Sequence, residues 1–239
     1  MNPDVIIDLQ DAVVAYNGTT ALRTLSLQIP AGECVAVIGA NGAGKTTLLT
    51  VINGFTALTS GCLQVLGNVP SGKNASQLRR RIGYVAQAQP VNLRMPITLV
   101  ESVMTGVYGR LGWRHKPQRR DHALVTDTLD SLRLLHLADR PLGHLSGGEQ
   151  RRAMIARCLV QEPELMLLDE PTASLDDDSR AIIMQLMDAV HEERGVTMLW
   201  VTHDLDALPS GCTRTLRMRN GGIVADMPHA PHREREGAL

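Results

Sequence analysis

The stretch Cys34–Thr46, CVAVIGANGAGKT, constrains the fold of this chain more than any other. Cys34–Ile38 is an unbroken apolar run, suited to a strand covered on both faces. A glycine-rich turn follows, and Lys45–Asn53 then places Leu48, Leu49 and Ile52 at helical spacing until Gly54 stops it. Strand, glycine loop and helix in that order are the context in which G-x-x-x-x-G-K-[ST] cradles phosphate. Gly39, Gly42 and Gly44 let backbone N–H groups close around phosphate oxygens. The helix opening at Lys45 aims its positive end at the same oxygens. Lys45 supplies a point charge for β- and γ-phosphates, and the Thr46 hydroxyl suits a magnesium ion. The plain alternative is a glycine turn that binds nothing, and the flanking strand and helix weigh against it.

At 239 residues the chain is long for one domain, so a large domain or a core with an inserted lobe is expected. Hydrophobic residues at 44% and charged residues at 21% exclude wholesale disorder. Basic residues number 24 and acidic residues 25, so no broad basic field is left for nucleic acid. Aromatics at 3% argue against a platform for stacked bases. Arg79–Arg81 and the group Arg110, Arg114, Lys116, Arg119 and Arg120 read as solvated faces. Cys34, Cys62, Cys158 and Cys212 contain no CxxC pair, which fits a reduced, cytosolic protein without structural zinc or disulfides. The opening MNPDVIIDLQ lacks the basic region of a secretory signal. Thr46–Gly72 carries no formal charge, yet Asn53-Gly54, Thr59-Ser60-Gly61 and Gly67-Asn68 interrupt it. A bilayer helix needs about 20 mostly apolar residues, so no span is expected.

Elsewhere the apolar pattern predicts half-buried strands at Val5, Ile7, Leu9 and at Leu25, Leu27, Ile29. Buried strands are expected at Leu165–Leu168 and Thr197–Val201. Helices are expected over Asp121–Leu135, over Ser179–Arg194, and from the capping box Ser146-Gly-Gly-Glu149 to Gln161, before Pro163. Arg219-Asn220-Gly221-Gly222 reads as a hairpin turn, and 229–239 as a flexible, charged tail. His229-x-x-His232 lies in that tail with no further ligand nearby, a weak metal signal.

Two further motifs carry chemistry. Leu165–Leu168 delivers Asp169 and Glu170 at its C-terminal end. Asp169 is placed to orient Mg²⁺ or its waters, and Glu170 to act as general base for an attacking water. In Leu145-Ser-Gly-Gly-Glu-Gln150, Ser146 with the N–H groups of Gly147 and Gly148 forms a second anion-binding helix start. One nucleotide cannot use both phosphate sites unless they face each other.

At this point the sequence resembles the ATP-binding cassette (ABC) family, whose LSGGQ-type motif reaches across a dimer to the partner's nucleotide. Glu149 and Gln150 stand at the fifth and sixth motif positions here, leaving Ser146 and Gly148 in place. The resemblance runs from about Leu9 to Val224. It implies an α/β fold: a P-loop NTPase (RecA-like) core with an antiparallel β subdomain and an α-helical subdomain inserted at about 88–160, all within one ATPase domain. It puts Tyr16 on the adenine, adds Asn41 and Thr47 to the nucleotide contacts, and makes Gln87 a sensor of magnesium and the γ-phosphate. Ser174-Leu175-Asp176 matches the loop that meets the opposite subunit, and His203 the histidine that bonds the γ-phosphate. Ala86 replaces a common proline. Taken singly, Tyr16 is equally an edge cover, Gln87 a surface amide and His203 a structural histidine. The implied catalytic set is Glu170, His203, Lys45 and Gln87, with Thr46, Gln87 and Asp169 at the metal, and ATP and Mg²⁺ as cofactors.

The block Pro96-Ile-Thr98, then Val103-Met-Thr-Gly106-Val-Tyr108-Gly-Arg-Leu-Gly112-Trp113, is similar to ATPases of manganese, zinc and iron importers. The alternative is that Pro96 starts a helix and Tyr108 and Trp113 pack a small lobe. The resemblance implies an ATP-hydrolysing subunit at the cytoplasmic face of the membrane. Its partners are a permease, a second ATPase subunit and, indirectly, an extracytoplasmic solute-binding protein, with no nucleic acid. Siderophore or haem uptake is the alternative cargo. A soluble cassette acting on the ribosome or DNA fits worse, because one cassette is present and only 58 residues separate Gln87 from Ser146. A regulator that does not hydrolyse is disfavoured by the intact Glu170 and His203.

Overall fold

Alternation and continuity in the apolar pattern produce two kinds of sheet. The computed structural model describes residues 4–16, 18–87, 92, 95–112, 115–204 and 208–229. Trp113, Arg114, His232 and the tail from 230, singled out above, lie outside them. The chain begins with β1 (Val5–Tyr16), β2 (Thr19–Pro30), β3 (Cys34–Ile38), α1 (Lys45–Ile52) and β4 (Ser60–Val65). α2 (Gly72–Arg79), β5 (Ile82–Val85), α3 (Leu99–Leu111), α4 (Arg119–Ser131) and α5 (Gly147–Leu159) follow. The last elements are β6 (Leu165–Asp169), α6 (Asp177–Arg194), β7 (Thr197–Val201), β8 (Cys212–Arg219) and β9 (Gly222–Pro228).

The alternating strands β1 and β2 join β4 in an antiparallel sheet ordered β2-β1-β4, with one face buried. The continuous runs β3, β6 and β7 lie inside a second sheet ordered β5-β6-β7-β3-β8-β9, parallel except for β9. Both faces of that sheet are covered. Val35, Val37, Leu165, Leu167, Leu199 and Val201 pack on α1 and the antiparallel sheet. The alternate residues Ala36, Met166, Leu168, Met198 and Trp200 pack on α5 and α6. A third cluster joins α3 (Leu99, Val103, Val107), α4 (Val125, Leu129) and the far side of α5 (Ala153, Ala156) with its C-cap Val160. Helix α5 therefore belongs both to the sheet and to the helical layer.

Caps move several helix ends from where apolar spacing puts them. α3 starts at Leu99 and not at Pro96, because Thr98 and Glu101 cap each other reciprocally. α4 opens at Arg119, since the Gln118 N–H donates to Asp121 Oδ2 (2.7 Å). It closes at Ser131, since Arg133 turns the chain at φ 54°. α5 stops short of Gln161, whose side-chain amide donates to the carbonyls of Arg79 and Ile82. α6 starts two residues earlier, at Asp177, through Asp176, which accepts from the Ser179 N–H (2.7 Å).

Candidate active site

The parallel topology brings the C-terminal ends of β3, β5, β6 and β7 to one edge, and the candidate residues gather there. The loop after β3 winds tightly. Gly44 sits at φ 101°, and a Cβ on it would lie 2.7 Å from the Ala21 carbonyl. At Gly39 a Cβ would collide with the Met218 carbonyl. The β8–β9 turn holds the loop from outside: the Gly221 N–H donates to Ala43 O (3.0 Å), and the Arg23 N–H donates to Gly221 O (2.8 Å).

Within the loop, the Lys45 ammonium donates to the carbonyls of Gly39 (2.7 Å) and Ala40 (3.2 Å), and the residue is only 7% exposed. The Thr46 hydroxyl donates to Asp169 Oδ2 at 2.7 Å, joining the start of α1 to the end of β6. Burial raises the Asp169 carboxyl above its usual value, and the Thr46 hydrogen bond works against that rise. Asn41 and Gly42 face solvent, and Thr47 is half-buried. Tyr16 ends β1 with its ring about half exposed. Its hydroxyl donates to Thr56 Oγ1 (3.2 Å), Thr56 donates to Thr50 Oγ1 (3.0 Å), and Thr50 donates to the Thr47 carbonyl (3.0 Å).

Glu170 is the meeting point of three segments. Gln87, just past β5, donates its amide to Glu170 Oε2 (3.3 Å), and His203 Nδ1, just past β7, stands 3.6 Å from Oε1. Glu170 itself has φ 50°, and its N–H donates to the Val201 carbonyl (2.9 Å). His203 is exposed and Glu170 mostly covered. The turn that presents His203 is shaped by buried Thr202, whose N–H donates to Val37 O and whose hydroxyl bonds the Asp204 backbone in both directions.

Ser146, Gly147 and Gly148 are not part of that gathering. They open α5, which packs on the opposite face of the parallel sheet from α1. The Ser146 N–H donates to Glu149 Oε2 (2.6 Å), and Ser146 Oγ accepts from the Glu149 N–H (3.3 Å). Ser146 and Gly147 are exposed. Asp176, after Ser174 at φ 60°, touches the same region: Arg152 of α5 donates to Ser179 Oγ (2.5 Å), which donates to Asp176 Oδ2 (3.0 Å).

Three contributors escape the sequence motifs: Thr202, the Gly221 turn and Arg151. Arg151 left a signal. It falls on the stripe of Ile155 and Leu159, where an apolar residue is expected.

A glycine loop at the start of a helix beside a parallel sheet, with Asp169 and Glu170 at the C-terminal end of β6 two strands away, defines a nucleotide-binding ATPase. Residues 22–173 match the family model described as ABC transporter. The chain is 35% identical over 220 residues to the zinc transport system ATP-binding protein TroB of Treponema pallidum (strain Nichols), covering 92% of this chain and 80% of that one. It is 36% identical to the manganese transport system ATP-binding protein MntB of Bacillus subtilis (strain 168), covering 83% and 77%. Among solved structures it resembles the dimeric bacterial ABC transporter cassette MJ0796 (TM-score 0.81, 27% identity, 93% and 98% covered). It resembles equally the same cassette in a dimeric post-hydrolysis state bound to ADP and Pi (TM-score 0.81, 26% identity, 93% and 98% covered). The chain belongs to the ABC transporter family as its ATP-binding, ATP-hydrolysing subunit. Such a subunit works as a dimer with a membrane permease, through which it associates peripherally with the membrane. Among the described residues no helix is long and apolar enough to cross a membrane.

Proposed function

We propose that two copies of this chain enclose two ATP molecules, each held by the phosphate loop of one copy and by Ser146 and Gly148 of the other. Gly39, Asn41, Gly42, Gly44, Lys45, Thr46 and Thr47 hold the phosphates and Tyr16 stacks on the adenine. Glu170 takes the proton of the attacking water, Gln87 orients that carboxylate, and His203 stabilises charge on the γ-phosphate. The observation that carries this reading is the convergence of Gln87 and His203 on the two oxygens of Glu170. The opposite-face placement of α1 and α5 supports a second copy, since one chain's two anion-binding helix starts do not share a face.

Thr46 Oγ1 and Asp169 Oδ2, 2.7 Å apart, are hard oxygen donors beside the phosphate loop, and with Gln87 they fit Mg²⁺. When bound, that ion neutralises phosphate charge. The chain's own residues set the rest of the chemistry.

The helical lobe, delimited at about 88–160 within a single ATPase domain, receives the permease on this reading. A groove of about 330 Å³ runs between the core and α3, lined by Asn53, Phe55, Arg79, Tyr84, Gly106 and Gly109. Phe55 is 62% exposed, with the Arg79 guanidinium 5.2 Å from its ring centre. An amphipathic permease helix at the cytoplasmic face fits such a surface. The zinc and manganese relatives, and the Pro96–Gly112 block, favour uptake of a transition-metal ion delivered by an extracytoplasmic binding protein.

Two experiments test this function. Glu170→Gln leaves ATP binding intact and nearly abolishes turnover; unchanged hydrolysis contradicts the role given to Glu170. A deletion strain grows poorly when manganese, zinc or iron alone is limiting; growth equal to the parent under each limitation contradicts metal import.

A further inference from the structure

The most deeply buried cation on α5 has no place in the chemistry above. Arg151 is 3% exposed, yet both terminal nitrogens of its guanidinium are engaged. Nη1 donates to the Ala86 carbonyl (2.8 Å) and Nη2 to the Glu170 carbonyl (2.6 Å). Burying a guanidinium is unfavourable unless its donors are matched. Here Nη1 and Nη2 are matched, while the buried Nε has no hydrogen-bond partner among the described residues. Burial lowers its proton affinity, and the nearby carboxylates of Asp169 and Glu170 oppose that.

The two acceptors are informative. Ala86 directly precedes Gln87, and the second carbonyl belongs to Glu170 itself. A non-glycine residue at φ 50° persists only where its surroundings hold it. Here the Glu170 N–H is held by Val201 and the Glu170 carbonyl by Arg151. A planar fork is well shaped for this, because its two ends reach two separate backbone segments at once, which a single ammonium cannot do. Arg151 also lies in the second turn of the helix that Ser146 caps, so a rigid element joins the two.

We propose that Arg151 is a positioning residue that ties the Ser146 end of α5 to Glu170 and Gln87 of the same chain, so that a phosphate docked at Ser146 sets the hydrolytic geometry of the other nucleotide site. The inference rests on the roles proposed above for Ser146, Gln87 and Glu170. Displacing Glu170 by a fraction of an ångström slows proton transfer while leaving the phosphate loop, and hence ATP affinity, untouched.

The test uses the full-length chain with ATP and magnesium, comparing wild type with Arg151→Lys and Arg151→Gln, turnover being counted per nucleotide bound. Expected for both variants is a fall in kcat of about 10–100-fold, KM for ATP within about twofold of wild type, and ATP-driven dimerisation retained. In a Glu170→Gln background, adding Arg151→Lys slows the residual hydrolysis no further, because the residue acts through that carboxylate. A kcat within twofold of wild type overturns the proposal. So does a loss of ATP binding that parallels the loss of turnover, or a multiplicative fall in the double variant. A wild-type chain that hydrolyses no ATP, or a fully active Glu170→Gln, removes the proposed function first and this inference with it.

Discussion

The two anion-binding helix starts, α1 and α5, are built in opposite ways. α1 has Gly44 at its N-cap in the left-handed region, with no side chain bonded to its first N–H groups. Its lysine is buried and reaches back over the loop. α5 has a complete capping box in which Ser146 and Glu149 bond each other's N–H groups. One start leaves its donors for a ligand, whereas the other engages two of them with its own side chains. Ser146 Oγ accepts from the Glu149 N–H and its hydroxyl also bonds the Glu149 carboxylate, so a docked phosphate competes with Glu149 for that hydrogen. On the proposed reading, α1 holds a triphosphate alone, and α5 only adds to one already held by a partner.

That contrast sets the order of the expected effects. Lys45→Ala, at the self-sufficient start, lowers kcat/KM for ATP by at least about 100-fold; a loss under tenfold breaks the contrast. Ser146→Ala removes a cap worth about 1 kcal/mol, so thermal unfolding falls by about 2–4 °C. More tellingly, it abolishes ATP-driven pairing while nucleotide affinity of the single chain, read by equilibrium dialysis, stays as in wild type. Equal loss of monomer affinity removes the distinction between the two sites.

Glu149→Gln is the mildest change, because an amide oxygen still serves the capping box. Burial pushes the Glu149 carboxyl up, but bonds from the Ser146 N–H and hydroxyl, with Arg140 and Arg152 nearby, hold it below the usual value. A depressed carboxyl stabilises the fold above its unfolded pKa, near 4.3, and that contribution is lost as pH falls through the lower folded value. The substitution therefore flattens the acid limb of the stability curve and leaves neutral pH nearly unchanged. An acid limb as steep as in wild type contradicts the ionised cap.

Legibility in the sequence follows the strength of local signals. β3, β6 and β7 were readable because a strand buried on both faces has no polar residue to interrupt it. α5 was readable from Ser146 and Glu149, the reciprocal cap itself. β4 was not expected, since among its six residues only Leu63 and Val65 are buried, and a strand with so few inward residues has almost no period. The start of α3 favours Thr98 with Glu101 over the alternative start at Pro96, because a reciprocal capping box is a stronger signal than a lone proline. Within the candidate site, the loop glycines, Lys45, Asp169 and Glu170 announce themselves by spacing. Thr202 and Arg151 act through backbone carbonyls of distant segments, a relation that exists only after the sheet has formed.

The sandwich itself is tested most directly by the solution mass of Glu170→Gln, measured by light scattering with and without nucleotide. The mass of two chains with magnesium and ATP, and of one chain with ADP, is the predicted result. A single-chain mass under saturating ATP, even with the cognate permease present, contradicts it.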